Sequence, residues 1–301
     1  GIESTIETYR LVADNHFKQS IIMKKTVLFL MALVCAMVVN AQADGTFTVQ
    51  QFKGFKLHIY NHDGGPGDHS FVVEGPTSLI ALETPLTKPY GAKYEEYMKT
   101  LNKPVIATIT GYDVGGSFSQ ANFIPEPVKE AMKGMGNMVQ NYKSRYGDNM
   151  YDIDFWNTTA EAVPTGTTRS WDGITFRFDR GPAGFLTSAT IVVGGEVALI
   201  HSEHSAGHLT TREAQNAAAL DAAIANDELL LQSKVKTYIT HHGSGLCTAK
   251  DVKNHLKYLK KVKALRAKAT TPEQLAAAIQ KAFPQRSGAE ALAEVAANLF
   301  K

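Results

Sequence analysis

Lys103-Pro-Val-Ile-Ala-Thr-Ile-Thr-Gly-Tyr-Asp-Val-Gly-Gly116 is the stretch whose reading decides the fold. A short apolar run, Val105 to Ala107, enters a turn that closes on Gly115 and Gly116, as a buried strand does when it delivers a loop. Within that loop Ile109 and Val114 have no lone pairs to offer a metal, and Gly111 has no side chain. Asp113 is its one carboxylate.

On the N-terminal side of this stretch the pattern is strand-like at Phe47–Val49, Phe55–Tyr60, Ser70–Val73 and Leu79–Leu82. These runs are separated by the turn-rich segment His62-Asp-Gly-Gly-Pro-Gly-Asp68 and by Gly75-Pro76. Gly91–Leu101 reads as a helix returning to the strand at Val105, and Pro125–Tyr146 as one or two helices broken near Gly134 and Gly136. A second strand-rich block follows at Ala162–Val163, Ile174–Phe178, Ala189–Val193 and Val197–Ile200. Then come an alanine-rich helix from Thr211 to Gln232, a buried strand Val235–Ile239, and helices at Lys250–Lys263, Pro272–Phe283 and Ala289–Phe300. Strand block, helix, strand block, helix predicts two sheets packed face to face with helices outside.

In this order of elements the chain resembles the metallo-β-lactamase fold, an αββα four-layer sandwich with two mixed β-sheets flanked by helices. The resemblance runs from Thr46 to the C-terminus and implies that metal ligands would sit on loops at one end of the sheets. The family's main zinc loop, T-H-x-H-x-D-H-x-G-G, matches here at Thr108, Asp113 and the closing glycines, while its three histidine positions hold Ile109, Gly111 and Val114. An earlier I-D-T-G motif reads Ile80-Ala-Leu-Glu83-Thr84-Pro85, with Glu83 at the acidic position. The segment Ala183-Gly-Phe-Leu-Thr-Ser188 puts Phe185 where a histidine ligand would be. His201, Glu203 and His204 stand beside the place of a bridging aspartate, and His242 matches the last histidine.

Two functions follow. The replaced ligands imply a non-catalytic or ligand-binding relative, with no cofactor, whose cleft is sealed by Ile109, Val114 and Phe185 in mutual contact. The alternative is a divergent metal-dependent hydrolase with a rebuilt mononuclear site, holding zinc or another divalent metal on Asp113, His201, His204 and His242. Open metal sites need three or so protein ligands, and two histidines with a carboxylate meet that requirement. Without metal, Glu83 and Asp113 need backbone N–H partners or a cation to be buried. Other chemistries are weaker: Gly64–Gly67 and Gly243–Gly245 lack the lysine and spacing of a phosphate loop, and there is no G-x-S-x-G elbow. Cys247, close to His241 and His242 in sequence, reads as a packed residue rather than a nucleophile.

Met23-Lys-Lys, an apolar run through Val39 and small residues at Ala41 and Ala43 form an export signal, with cleavage after either alanine. Residues 23–41 are therefore read as the signal peptide, 1–22 as an over-extended gene start, and 44–301 as a single domain. The expected location is periplasmic or extracellular, and the run is too short to span a membrane. The mature chain is nearly neutral and keeps Cys247 as its single cysteine, so its fold rests on its core without an internal disulfide. The expected partner is a small molecule or a protein; a formal net charge of +2 gives no reason to expect nucleic acid.

Overall fold

Alternation of side chains along the early strands sorts them between two apolar environments, and that sorting builds the layers. A computed structural model describes residues 39–40, 45–62, 69–112, 114–134, 136–181, 189–200, 207–243 and 245–301. One sheet is formed, in spatial order, by β1 (Val39–Asn40), β2 (Thr46–Phe52), β3 (Phe55–Asn61), β4 (His69–Glu74), β5 (Leu79–Leu82), β6 (Val105–Ile109), β7 (Asn122–Pro125) and β8 (Glu161–Val163). It is antiparallel from β1 to β5 and parallel from β5 to β8. The second sheet comprises β9 (Thr167–Trp171), β10 (Ile174–Arg180), β11 (Ala189–Val193), β12 (Val197–Ile200), β13 (Thr237–Thr240) and β14 (Leu246–Thr248). Its one parallel pair is β12 with β13.

The face between the sheets is built from alternate residues. Leu57, Ile59, Phe71, Val73, Ile80, Leu82 and Ile109 of the first sheet pack with Phe176, Phe178, Ile191, Val193, Leu199 and Ile239 of the second. The intervening residues face outward: Tyr60, Val72, Leu79 and Ala81 pack under Tyr94, Tyr97 and Met98 of helix α1 (Lys88–Thr100). On the other side Ala198, Ile200, Tyr238 and Cys247 lie under Leu230 of α5 (Ala217–Gln232) and Val252 of α6 (Ala249–Arg266). This period-two division is what a two-sided strand requires, since a slip of one residue would exchange the two faces. Helix, sheet, sheet and helix are thus the four layers expected from the sequence, and Val38–Lys301 form one compact unit.

The remaining helices are α2 (Glu126–Met132), α3 (Gly136–Tyr146), α4 (Asp154–Thr158), α7 (Pro272–Ala282) and α8 (Leu292–Leu299). Thr271 caps α7, its hydroxyl accepting from Gln274 N at 3.3 Å, with Pro272 opening the helix. The alanine-rich helix begins at Ala217 rather than Thr211, because the Asn216 side chain accepts from Ala219 N (2.8 Å) and sets the first turn there. Strands β7, β9 and β14 are not visible in the sequence pattern. β9 reads Thr-Thr-Arg-Ser-Trp and β14 Leu-Cys-Thr, and both are edge strands whose place is set by hydrogen bonding to a neighbour. The segments 1–38 and 41–44, which hold most of the expected signal peptide and both expected cleavage points, lie outside the described residues. No helix among the described residues is long and apolar enough to cross a membrane.

Candidate functional site

One edge of the sandwich collects the strand ends that matter. β3, β5 and β6 run in the same direction, so Asn61, Leu82 and Ile109 end at that edge and β4 begins there at His69. In the second sheet β12 and β13 end at Ile200 and Thr240, where β11 begins at Ala189. Two backbone bonds tie the sheets together at this edge: Ala189 N–H to Gly111 O (3.3 Å) and His69 N–H to His241 O (3.1 Å). The strand ends assigned to the site from sequence therefore do converge, as far as they are described.

Glu83 is the centre of this edge. It follows β5, lies beside the end of the parallel strand β6, and is 1% exposed. Its carboxylate accepts from Thr110 Oγ1 (2.8 Å), from Gly111 N (3.1 and 3.2 Å to the two oxygens) and from Tyr112 N (3.2 Å). Its own N–H donates to Ile109 O (2.8 Å). Successive N–H groups around an anion form a nest that satisfies a buried carboxylate. Glu83 also has φ of +50°, a left-handed conformation that is rare for this residue type and collects at functional or formerly functional sites.

Gly111 makes this grip possible. A Cβ added there would lie 2.8 Å from Glu83 Oε2 and 2.8 Å from Leu199 Cδ2. A side chain there would have to push aside the ends of both, and Glu83 is held in place by its hydrogen bonds. Gly115 is likewise forced, since a Cβ would meet the Thr84 and Pro85 carbonyl oxygens at 2.2 and 2.3 Å. Thr84 Oγ1 donates to Gly116 O (2.7 Å), Gly116 N to Pro85 O (3.0 Å) and Trp156 Nε1 to Gly115 O (2.9 Å). Protein donors and acceptors thus hold the loop on both sides.

The apolar replacements do not seal one mouth together. Ile109 is fully buried in the core between the sheets, whereas Val114 belongs to a separate cluster with Ile124, Val128 and Trp156. The two side chains belong to different apolar clusters, so the expected contact between them is not made. Asp113, Phe185, His201 and His204 lie outside the described residues.

A histidine group that the motif comparison passes over does form. His241 is buried and its Nδ1–H donates to His69 O (2.6 Å). His62 is buried, with Nε2 at 3.1 Å from Ser70 Oγ and its ring beside Tyr60 and Tyr90. Burial pushes the His62 pKa down to about 3, aided by His241 and His69. The ring of half-buried His242 lies 5.0 Å from that of His241. The signal was in the chain: the β3–β4 hairpin pairs Asn61 with His69, which puts His62 and His69 at the same edge. Cys247 is buried opposite Tyr238 in the outer layer of the second sheet, which is the packed role expected.

A zinc pair does not fit the described part of this edge. Ile109 and Val114 offer no donor, Gly111 has no side chain, and Glu83 is occupied by the loop amides. Among the described residues no three His, Cys, Asp or Glu side chains are arranged to hold a metal ion.

No family model matches the sequence, and no curated protein matches it. Solved structures do. A metallo-beta-lactamase family protein from Thermus thermophilus is 14% identical, with 82% of this chain and 93% of that one covered at a TM-score of 0.51. A flavo di-iron protein mutant from Thermotoga maritima is 10% identical at a TM-score of 0.49; 72% of this chain is covered, and it spans 62% of that protein. The metallo-beta-lactamase FIM-1 from Pseudomonas aeruginosa, in its mono-zinc form, is 15% identical over 73% of this chain and 96% of its own, at a TM-score of 0.45. The Thermus protein carries the comparison, and at that identity it speaks to architecture alone. With the two sheets, the flanking helices and the loop-bearing edge already in place, the chain has the metallo-β-lactamase fold.

Proposed function

We propose that this is an exported metallo-β-lactamase-fold protein without the family's dinuclear zinc centre, acting as a non-catalytic relative that binds a ligand. The observation that carries the reading is the meeting of Glu83 and Gly111. Where the resemblance places a loop of metal ligands, the loop amides close on a carboxylate, and the backbone comes so near that a Cβ at 111 would lie 2.8 Å from Glu83 Oε2. A nest of N–H groups supplies the positive potential that a cation would supply at this edge. Export is supported by the Met23–Ala41 signal, with a mature chain beginning at Gln42 or Asp44.

Elemental analysis tests this directly. Protein expressed in medium supplemented with zinc, iron and manganese, then passed through gel filtration, is expected to retain well under one equivalent of any of them. One equivalent retained would sink the proposal and favour the mononuclear hydrolase. N-terminal sequencing of exported material that began at Met23 would refute the processing part alone.

A further inference from the structure

Beside the Glu83 edge lies a cavity of about 240 Å³ whose wall on one side is Leu86, Tyr112 and Val114, from the two loops just described. Its other wall is Met132 at the end of α2, Val139 of α3, and Ile153 at the start of α4. We infer that this cavity is a binding site for a small aromatic or branched organic acid carrying one further polar group.

Three observations carry the chemistry. The walls just named are apolar, and the volume equals that of about eight waters in the liquid, room for one ring with a short side chain. Second, the cavity is lined by Asn157, whose Oδ1 is shielded from solvent and has no hydrogen-bond partner. The two ends of an amide are told apart by their partners, so what stands is one buried end of Asn157 lacking one. A hydroxyl can donate or accept and so satisfies either end. Third, the charged lining residues are Lys133, Lys143 and Asp154. Lys133 is held by Glu130 at 2.6 Å, but Lys143 stands 3.7 Å from Asp154, too far for a direct hydrogen bond. Lys143 is thus ion-paired with Asp154 but not hydrogen-bonded to it, and its three N–H donors can turn to a ligand carboxylate.

The site adds a ligand class to the ligand-binding reading, yet it needs no metal, so the two fail separately. With 4-hydroxyphenylacetate as probe, titrated into EDTA-treated full-length protein and followed by NMR, saturable shifts should centre on Val139 and Ile153. Phenylacetate, which lacks the hydroxyl, and 2-(4-hydroxyphenyl)ethanol, which lacks the carboxylate, should each bind about tenfold more weakly, as expected for one lost hydrogen bond to a buried or charged group. Lys143→Met should weaken the probe by a similar factor. Asn157→Leu should do so while leaving the melting temperature unchanged or raised, because it removes an unsatisfied group. Gly136 borders the cavity and a Cβ there meets nothing within 4 Å, so Gly136→Phe adds bulk at its rim without a Cβ clash. Absence of saturable binding by all three compounds would overturn the inference. So would binding unaffected by both Lys143→Met and Gly136→Phe, or a lower melting temperature with unchanged binding in Asn157→Leu. Metal retained in the elemental analysis, with these results as expected, would overturn the metal-free reading and leave the site standing.

Discussion

Glu83 and Glu74 are two buried carboxylates at opposite ends of the same sheet, and they are satisfied by different donors. Glu83 is gripped by amides and a threonine hydroxyl of one loop. Glu74, at the far end of β4, accepts from His58 Nε2 (2.8 Å) and Lys103 Nζ (2.7 Å), with Lys56 at 3.5 Å. Because the carboxylate takes the Nε2 proton, His58 Nδ1 is the acceptor for the Tyr97 hydroxyl at 2.7 Å. Burial pushes the Glu74 pKa up, but Lys103 and His58 outweigh it and hold the group below the usual carboxylate value. The far end is an ordinary buried ion network. At the near end the charge is answered by backbone geometry, which fixes the path of a loop as well as a charge.

The largest expected effect tests the absence of space. Gly111→His should cost about 3 kcal/mol or more, since the imidazole has to displace Glu83 from its hydrogen bonds or push Leu199 aside. Zinc should not recover it. A thermal shift back toward wild type on adding zinc would mean that the edge can rearrange into a metal site, and the contrast with the far end would collapse.

Glu83→Ala should come next, at about 3 kcal/mol, because it strands two amide N–H groups and the Thr110 hydroxyl in a buried place. Glu74→Gln should cost about half of that, because Lys103 and Lys56 can turn toward water. Urea titrations of both variants in low and high salt sharpen the comparison. Salt should reduce the Glu74 effect and leave the Glu83 effect unchanged. The reverse ranking would break it.

Acid should distinguish the two ends as well. The unfolded chain binds a proton at His62 near pH 6.5, whereas the folded protein resists until about pH 3. A group whose folded pKa is depressed in this way contributes stability that is full above its unfolded pKa and lost as pH falls toward the folded one. His62 should thus account for a loss of about 2 kcal/mol between pH 7 and pH 5. His58 is also lowered by burial, but Glu74 opposes that shift, so its share should be smaller. Chemical denaturation of His62→Phe and His58→Phe at the two pH values checks this. A pH slope that disappears in His58→Phe and survives in His62→Phe would reverse the assignment.

Smallest is Lys133→Ala, which removes an exposed i,i+3 pair with Glu130 and should change stability by less than about 0.5 kcal/mol.

Much of the near edge was legible before any coordinates. The requirement that a buried Glu83 find partners for its carboxylate follows from desolvation alone, and the lack of metal donors at 109, 111 and 114 is visible as letters. The expectation that Ile109, Val114 and Phe185 would meet was read from motif positions, which carry no direction. Ile109 and Val114 instead occupy separate cores, because a turn intervenes between them. His62, His69, His241 and His242 were all visible as residues near this edge, but the direct bond between His69 and His241 was not, for the opposite reason. Its two partners are 172 residues apart, and a pairing between sheets leaves no local trace.

What the sequence by itself determined is the layering. Period-two burial in the strands, apolar helix faces and capped helix starts are local properties, and each names the face it must hide. The tertiary structure alone decided what the strand ends do once they meet. Whether a carboxylate finds an amide, an ammonium or a metal depends on distances of a few tenths of an ångström between segments far apart in the chain, and the close approach at Gly111 exists only after both sheets have packed.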